Sequence, residues 1–135
     1  MKETPQTKVP RKLYHGTAKR NLPTILKHGL DPKNARRKGA GVYLAGDVFT
    51  SENYANMYPD EDWVVLEVNG SMLDPAKLDI DDYELPDAWE NDQIPASVMN
   101  RYGEWKYLPW ELSLKYTGQI TYNGKIPPKM IKVRE

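Results

Sequence analysis

The 135-residue sequence contains no cysteine and only two histidines. Disulfide bridges and thiolate metal sites are therefore excluded, and a histidine-rich zinc site is not expected. No apolar run approaches the roughly 18 residues that a membrane-spanning helix needs, and the polar N-terminus lacks the apolar stretch of a secretory signal peptide. We therefore expect a cytoplasmic protein with no metal centre and no membrane partner.

The chain also has no net charge, because 19 basic residues balance 19 acidic ones, yet the charges are segregated. Residues 1–40 carry eleven Lys or Arg and two acidic residues, residues 41–112 carry three and sixteen, and residues 113–135 carry five and one. A basic first segment could face nucleic acid or phosphate groups, or the segments could neutralise one another in the fold. The pattern leaves both explanations open.

The length suits one domain with a single core, so we predict a flexible tail over residues 1–10 and one monomeric domain over residues 11–135. Apolar residues at helical spacing predict a helix after Asn21, with Pro23 in its first turn and Gly29 at its end. A second short helix is predicted over residues 50–59. Strands are predicted at 11–14, 41–45 and 62–70, a strand or hairpin at 110–122, and a last edge strand near the C-terminus. Strands and helices without regular alternation indicate an α+β fold.

Four short motifs could carry chemistry: LYHGT with His15, GVYLAG with Tyr43, SENY with Ser51 and Tyr54, and a glutamate late in the chain. Each has an ordinary structural explanation when taken alone. Their order and spacing, however, resemble the ADP-ribosyltransferase superfamily, in particular its diphtheria-toxin-like and poly(ADP-ribose) polymerase-like branch with a His-Tyr-Glu triad. Ser51 and Tyr54 follow Tyr43 by eight and eleven residues, as in that branch, and residues 11–70 carry most of the resemblance.

The resemblance implies a split β-sheet core with short flanking helices, and nicotinamide adenine dinucleotide (NAD) as the co-substrate. Two tyrosines can sandwich the flat, cationic nicotinamide ring, with an attraction of about 0.5–2 kcal/mol for each stacked pair. A glycine backbone offers a donor and an acceptor to the carboxamide without a side chain in the way. The residues implied in NAD binding are His15, Gly16, Thr17, Tyr43, Ala45, Ser51 and Tyr54.

The implied reaction breaks the nicotinamide–ribose bond through an oxocarbenium-like transition state, which a nearby carboxylate stabilises. The order of motifs in the family places this glutamate at the start of a late strand. Glu111 in PWELSLKY fits that position, and Glu104 in YGEWKY is the alternative. The catalytic residues implied by the resemblance are therefore His15, Tyr43 and Glu111.

The leading hypothesis is a bacterial or phage mono-ADP-ribosyltransferase that modifies a protein or nucleic acid, with NAD hydrolysis as a possible side activity. One alternative is an RNA 2′-phosphotransferase, which shares the fold but typically places an arginine where this chain has Tyr43. Another is a non-catalytic module that binds NAD or ADP-ribose. The acidic segment 71–102 is predicted to form loops or one-turn helices, and residues 74–100 are the candidate flap that faces the acceptor.

Overall fold

The fold is α+β, as predicted, and is built on one six-stranded sheet. The computed structural model describes residues 9–34, 41–55 and 62–134, with residues 52–55 described by their backbone alone. The strands are β1 (Lys12–Ala18), β2 (Val42–Ala45), β3 (Trp63–Asn69), β4 (Leu78–Ile80), β5 (Gln119–Tyr122) and β6 (Ile131–Arg134). They follow the order β4-β5-β2-β1-β3-β6, and every neighbouring pair is antiparallel.

Five short α-helices flank the sheet in the described ranges, together with several 3₁₀ turns. They are α1 (Leu22–His28), α2 (Val48–Ala55), α3 (Glu84–Glu90), α4 (Ala96–Tyr102) and α5 (Trp110–Thr117). Helix α1 confirms its prediction: Pro23 lies in the first turn, and Gly29 ends the helix with a φ of 82° that suits glycine. Among the described residues, no helix has the length and apolar character needed to cross a membrane.

The sheet parts between β1 and β2. Strand β1 pairs with β3 at seven positions, and β2 pairs with β5 at four, but β1 meets β2 at one pair, Tyr14 opposite Ala45. Strands β1, β3 and β6 therefore form one half of the sheet, and strands β2, β5 and β4 form the other. This architecture confirms the split sheet that the resemblance implied.

The two faces of the sheet have different roles. Residues that pair directly across antiparallel strands share a face. One face carries the larger core, which includes Leu13, Leu44 and Ile120 and is covered by Ile25 of α1 and Leu114 of α5. The opposite face carries Tyr43 and Ala45 of β2 with their β5 partners, and α2 packs there against β1.

The acidic segment 71–102 is more ordered than the sequence indicated. It contains the edge strand β4 and the helices α3 and α4, and its apolar residues pack with Leu108 in a second hydrophobic cluster. The buried members of this cluster are Ile80, Leu85, Ala88, Ile94 and Leu108. The prediction of loops or one-turn helices over residues 71–102 is therefore wrong, because apolar residues spaced between the aspartates and prolines pack into the fold. That residues 74–100 face the acceptor stays a prediction.

The predicted strand over residues 110–122 is divided by Gly118, which has a φ of 80° and ends α5 before β5 begins. Apolar side chains occur at every second position from Trp110 to Tyr116, which suggested a strand. The structure explains this period of two, because α5 lies between two clusters. Trp110 and Leu114 contact the larger core, whereas Leu112 and Tyr116 contact the second cluster.

The N-terminal boundaries also differ from the prediction. Residues 1–8 of the predicted tail lie outside the described residues, whereas Val9 packs against the larger core. The predicted end of the first strand at residue 14 is wrong, because β1 continues to Ala18 and pairs with β3 along its whole length. The β-branched and apolar content of β3 supports this longer pairing. Helix α2 begins at Val48, two residues before the predicted start, and the predicted stop at Pro59 lies outside the described residues.

Candidate active site

His15 lies in the middle of β1, where the two halves of the sheet part. Its Nδ1 atom is 2.8 Å from the backbone carbonyl oxygen of Tyr43 on β2. Because a carbonyl oxygen can only accept a hydrogen bond, Nδ1 must carry the proton. The imidazole Nε2 of the neutral ring is then an acceptor, and it has no hydrogen-bond partner within the described ranges.

The protein environment keeps this histidine neutral. Loss of water around the ring lowers the pKa of His15 below its ordinary value, and this effect outweighs the hydrogen bond to Tyr43, which acts in the opposite direction. At neutral pH the ring therefore offers a lone pair at Nε2. Such an acceptor suits a hydroxyl group of a ligand.

Gly16 and Ser51 approach each other on the face that carries Tyr43. A Cβ atom on Gly16 would lie 2.9 Å from the backbone oxygen of Ser51, so a larger residue would push α2 away from β1. The Ser51 side chain is only 2% exposed, and its hydroxyl has no hydrogen-bond partner in the described part of the chain. A buried hydroxyl of this kind is available for a ligand that carries hydrogen-bonding groups.

Tyr43 is held by a contact that the sequence did not indicate. Its phenol hydroxyl donates a hydrogen bond of 2.8 Å to Oδ1 of Asp82, which lies between β4 and α3. The ring is half-buried and projects from the same face as Ala45. The site tyrosine is therefore tied to the acidic segment as well as to its own strand.

Thr17 and Tyr54 are two further residues of the predicted NAD-binding set, and the structure describes the side chain of Thr17 alone. Thr17 is buried, and its hydroxyl accepts a hydrogen bond from Asn21 Nδ2 at 3.3 Å, so it joins β1 to the turn before α1. Asn21 thus bonds to Thr17 instead of capping α1. Tyr54 lies in α2, one turn after Ser51, but its side chain is outside the described residues.

Neither candidate glutamate begins a strand. Glu111 lies in the first turn of α5, whose Trp110 and Leu114 cover the face opposite Tyr43. Glu104 is exposed at the start of a 3₁₀ turn and forms an ion pair of 3.7 Å with Lys106. The expected location of Glu111 is therefore corrected, because the segment that was predicted as its strand is helical.

Gln119 occupies the start of the late strand instead. It begins β5, pairs with Ala45, shares the face of Tyr43 and is 5% exposed. Hydroxyl groups hold its backbone, since its carbonyl oxygen accepts from Ser113 Oγ at 2.8 Å and its amide donates to Thr117 Oγ1 at 3.1 Å. The reasoning from sequence missed this residue, although the Thr-Gly step before it could have marked the end of a helix.

The family model of the poly(ADP-ribose) polymerase catalytic domain matches residues 2–87. The match covers more than half of the chain and includes both strands that border the split. The chain belongs to this family. Its chemistry is accordingly NAD-dependent ADP-ribosyl transfer, with NAD as the co-substrate. No curated protein matches the chain.

In this member of the poly(ADP-ribose) polymerase family, the described site contains polar groups but no carboxylate at the start of β5. The Gln119 amide can donate and accept hydrogen bonds, but it carries no charge and does not take up a proton at neutral pH. The family match ends at residue 87, so β5 lies outside it. The site can therefore bind hydroxyl and amide groups, whereas Gln119 cannot serve as a general base.

Proposed function

We propose that this domain transfers a single ADP-ribose unit from NAD to a macromolecular acceptor and releases nicotinamide. The observation that carries the proposal is the neutral Gln119 at the start of β5, on the same sheet face as Tyr43. The family supplies the general chemistry, and this side chain limits which acceptors the site can use.

The proposed binding mode assigns the two halves of NAD to the described polar groups. Nε2 of His15 accepts a hydrogen bond from a ribose hydroxyl, while the Gly16 backbone and the Ser51 hydroxyl bind the carboxamide. Tyr43 and Tyr54 enclose the nicotinamide ring. Thr17 supports the end of β1, and the small side chain of Ala45 leaves space between Tyr43 and Gln119. This set is the one that the family resemblance indicated, with Gln119 added.

The proposed reaction breaks the bond between the ribose anomeric carbon and the ring nitrogen. The bonding electrons stay with nicotinamide, which leaves as a neutral molecule, and the acceptor nucleophile then bonds to the anomeric carbon. A hydroxyl acceptor must also lose a proton to a base, and Gln119 cannot accept it. We therefore expect an acceptor that is already ionised, such as a carboxylate or a phosphate group.

The same reasoning favours one transfer over chain growth. Extension of a poly(ADP-ribose) chain uses a ribose hydroxyl as the nucleophile, and that hydroxyl needs a base. Glu111 lies on the helix that covers the opposite face, so we infer that it does not supply this base. Modification stops after the first unit, and the acceptor could be a protein or a nucleic acid.

The first experiment measures nicotinamide release from NAD, with and without a cell extract as the source of acceptor. We expect slow release from NAD alone and faster release with extract. Gln119→Glu should raise release without an acceptor by about tenfold or more, because it adds a carboxylate on the site face. Gln119→Ala should lower release in both conditions.

Glu111→Gln is the matched control, and we expect it to behave like the wild type. Thermal melting of each variant would separate a loss of folding from a loss of chemistry. If Glu111→Gln abolishes release while Gln119→Glu changes nothing, the catalytic role belongs to Glu111. If the wild type binds NAD but releases no nicotinamide with any extract, the chain is a binding module.

A further inference from the structure

Outside the residues that we propose to touch NAD, the structure assigns a positioning role to Asp82: its carboxylate fixes the ring of Tyr43 for stacking on nicotinamide. The inference rests on the proposed function of Tyr43. The contact is direct, because the phenol hydroxyl donates to Asp82 Oδ1 at 2.8 Å across 39 residues of sequence. Hydrogen bonds to an ionised acceptor are among the stronger ones in proteins.

Tyr43 needs such a support because of its place in the sheet. It lies on β2 at the parting of the two halves, where a single pair, Tyr14 opposite Ala45, joins β2 to β1. The second torsion angle of a tyrosine side chain is broad, so the backbone alone does not set the plane of the ring. A hydrogen bond at the far end of the ring therefore restricts which way its face points.

Asp82 is itself well placed to give this support. The preceding residue, Asp81, is completely buried, and its Oδ1 accepts hydrogen bonds from the backbone amides of Tyr83 at 2.8 Å and Glu84 at 3.0 Å. The Asp81 amide donates to Ser113 Oγ at 2.8 Å. The backbone is thus held by hydrogen bonds on both sides of Asp82, and this limits the positions that its carboxylate can reach.

The same Ser113 hydroxyl links this support to the start of β5. Ser113 Oγ accepts from the Asp81 amide and donates to the carbonyl oxygen of Gln119 at 2.8 Å. One chain of contacts therefore runs from the Tyr43 hydroxyl, through the 81–82 segment and Ser113, to the Gln119 backbone. Through these contacts, Asp82 fixes the position of the Tyr43 ring relative to Gln119, which begins β5.

The test is a double-mutant cycle with Tyr43→Phe and Asp82→Ala, measured as the dissociation constant for NAD. Each single variant should weaken NAD binding by about three- to tenfold, because each removes the same hydrogen bond. The double variant should be no weaker than the worse single variant. Asp82→Asn keeps an acceptor oxygen and should restore most of the affinity. Additive losses in the double variant would overturn the inference.

Affinity for ADP-ribose, which lacks nicotinamide, separates the positioning role from a general structural defect. A structural defect would weaken the binding of both ligands, whereas loss of the positioning role would weaken the binding of NAD alone. Asp82→Ala should bind ADP-ribose as the wild type does, and an equal loss for both ligands would overturn the positioning role. Asp79→Ala is the matched control, because Asp79 is an exposed aspartate on β4, and it should leave both affinities unchanged. If Tyr43→Ala leaves NAD binding intact, the proposed binding mode fails. If it abolishes binding while Asp82→Ala has no effect, the positioning role alone fails.

Discussion

At the scale of single residues, one backbone contact determines what His15 can do. The carbonyl oxygen of Tyr43 requires the proton on Nδ1, and the pKa of the ring is lowered chiefly by its burial. The ring is therefore neutral at physiological pH and accepts at Nε2. Protonation would convert Nε2 from an acceptor into a donor, and the proposed bond to a ribose hydroxyl would have to reorganise.

This state predicts a specific pH dependence of NAD binding. Because the pKa of His15 lies below its ordinary value of about 6.5, the affinity should be constant from pH 8 to pH 6.5 and fall at lower pH. Titrations of NAD between pH 5 and pH 8 would measure it. His15→Gln should bind more weakly and lose most of this dependence, whereas the exposed His28 provides the control variant His28→Gln, which should keep it. Equal pH profiles for His15→Gln and the wild type would contradict the assignment.

The same shift has a consequence for stability. The unfolded chain binds a proton at His15 at a higher pH than the folded chain does, so the free energy of unfolding falls as pH drops below about 6.5 and levels off below the folded pKa. Above that window this residue contributes no pH dependence. Urea unfolding over the same pH range should show a shallower loss for His15→Gln than for the wild type.

At the scale of secondary structure, local patterns predicted most strands and the first helix. Helix α1 and strands β2 and β3 follow from apolar spacing and from turn residues such as Pro23 and Gly29, which act within their own segments. Helix α5 could not be predicted in this way, because its apolar period of two reflects contact with two separate clusters. That single misassignment placed Glu111 at the start of the late strand, where the structure has Gln119.

The hydrogen bonds around α5 also could not be read from sequence, since their partners lie far apart along the chain. Ser113 joins the Asp81 amide to the start of β5, and its residue type gives no sign of this. The hydrogen bond between Tyr43 and Asp82 likewise joins residues that are 39 positions apart in the sequence. The sequence therefore indicated candidate residues for a ligand site, whereas only the fold shows which contacts hold those residues in place.

Ser113 gives a prediction at this scale. In Ser113→Ala the buried Asp81 amide loses the acceptor seen in the structure, whereas the Gln119 carbonyl keeps Thr117 Oγ1 at 3.2 Å. Leaving one buried backbone donor unpaired costs about 1–3 kcal/mol, so the free energy of unfolding should fall by that amount. Urea titration would measure it, with Ser97→Ala on the exposed part of α4 as the control, which should change by less than about 0.5 kcal/mol. A cost below that level for Ser113→Ala would show that Asp81 finds another acceptor.

At the scale of the whole molecule, the site lies at the junction of two half-sheets. The larger core spans both halves, yet the strands next to the site meet at one pair, so their backbone groups face the split. His15 and Tyr43 come from opposite halves and are joined by a side-chain contact. A ligand that contacts Gly16 on one half and Tyr43 on the other would therefore bridge the junction.

The final prediction follows from that bridging. NAD at about 100 times its dissociation constant should raise the free energy of unfolding by about 2.7 kcal/mol, provided that it binds only the folded chain. Amide exchange should also slow more in β1 and β2 than in the edge strand β6, because the ligand closes local openings at the split. Gly16→Ala is the negative control, in which this difference between strands should shrink. Its Cβ would meet the Ser51 backbone oxygen at 2.9 Å and disturb the contact between β1 and α2. Uniform slowing over all three strands would show that NAD acts on global unfolding alone, and the bridging role would then be wrong.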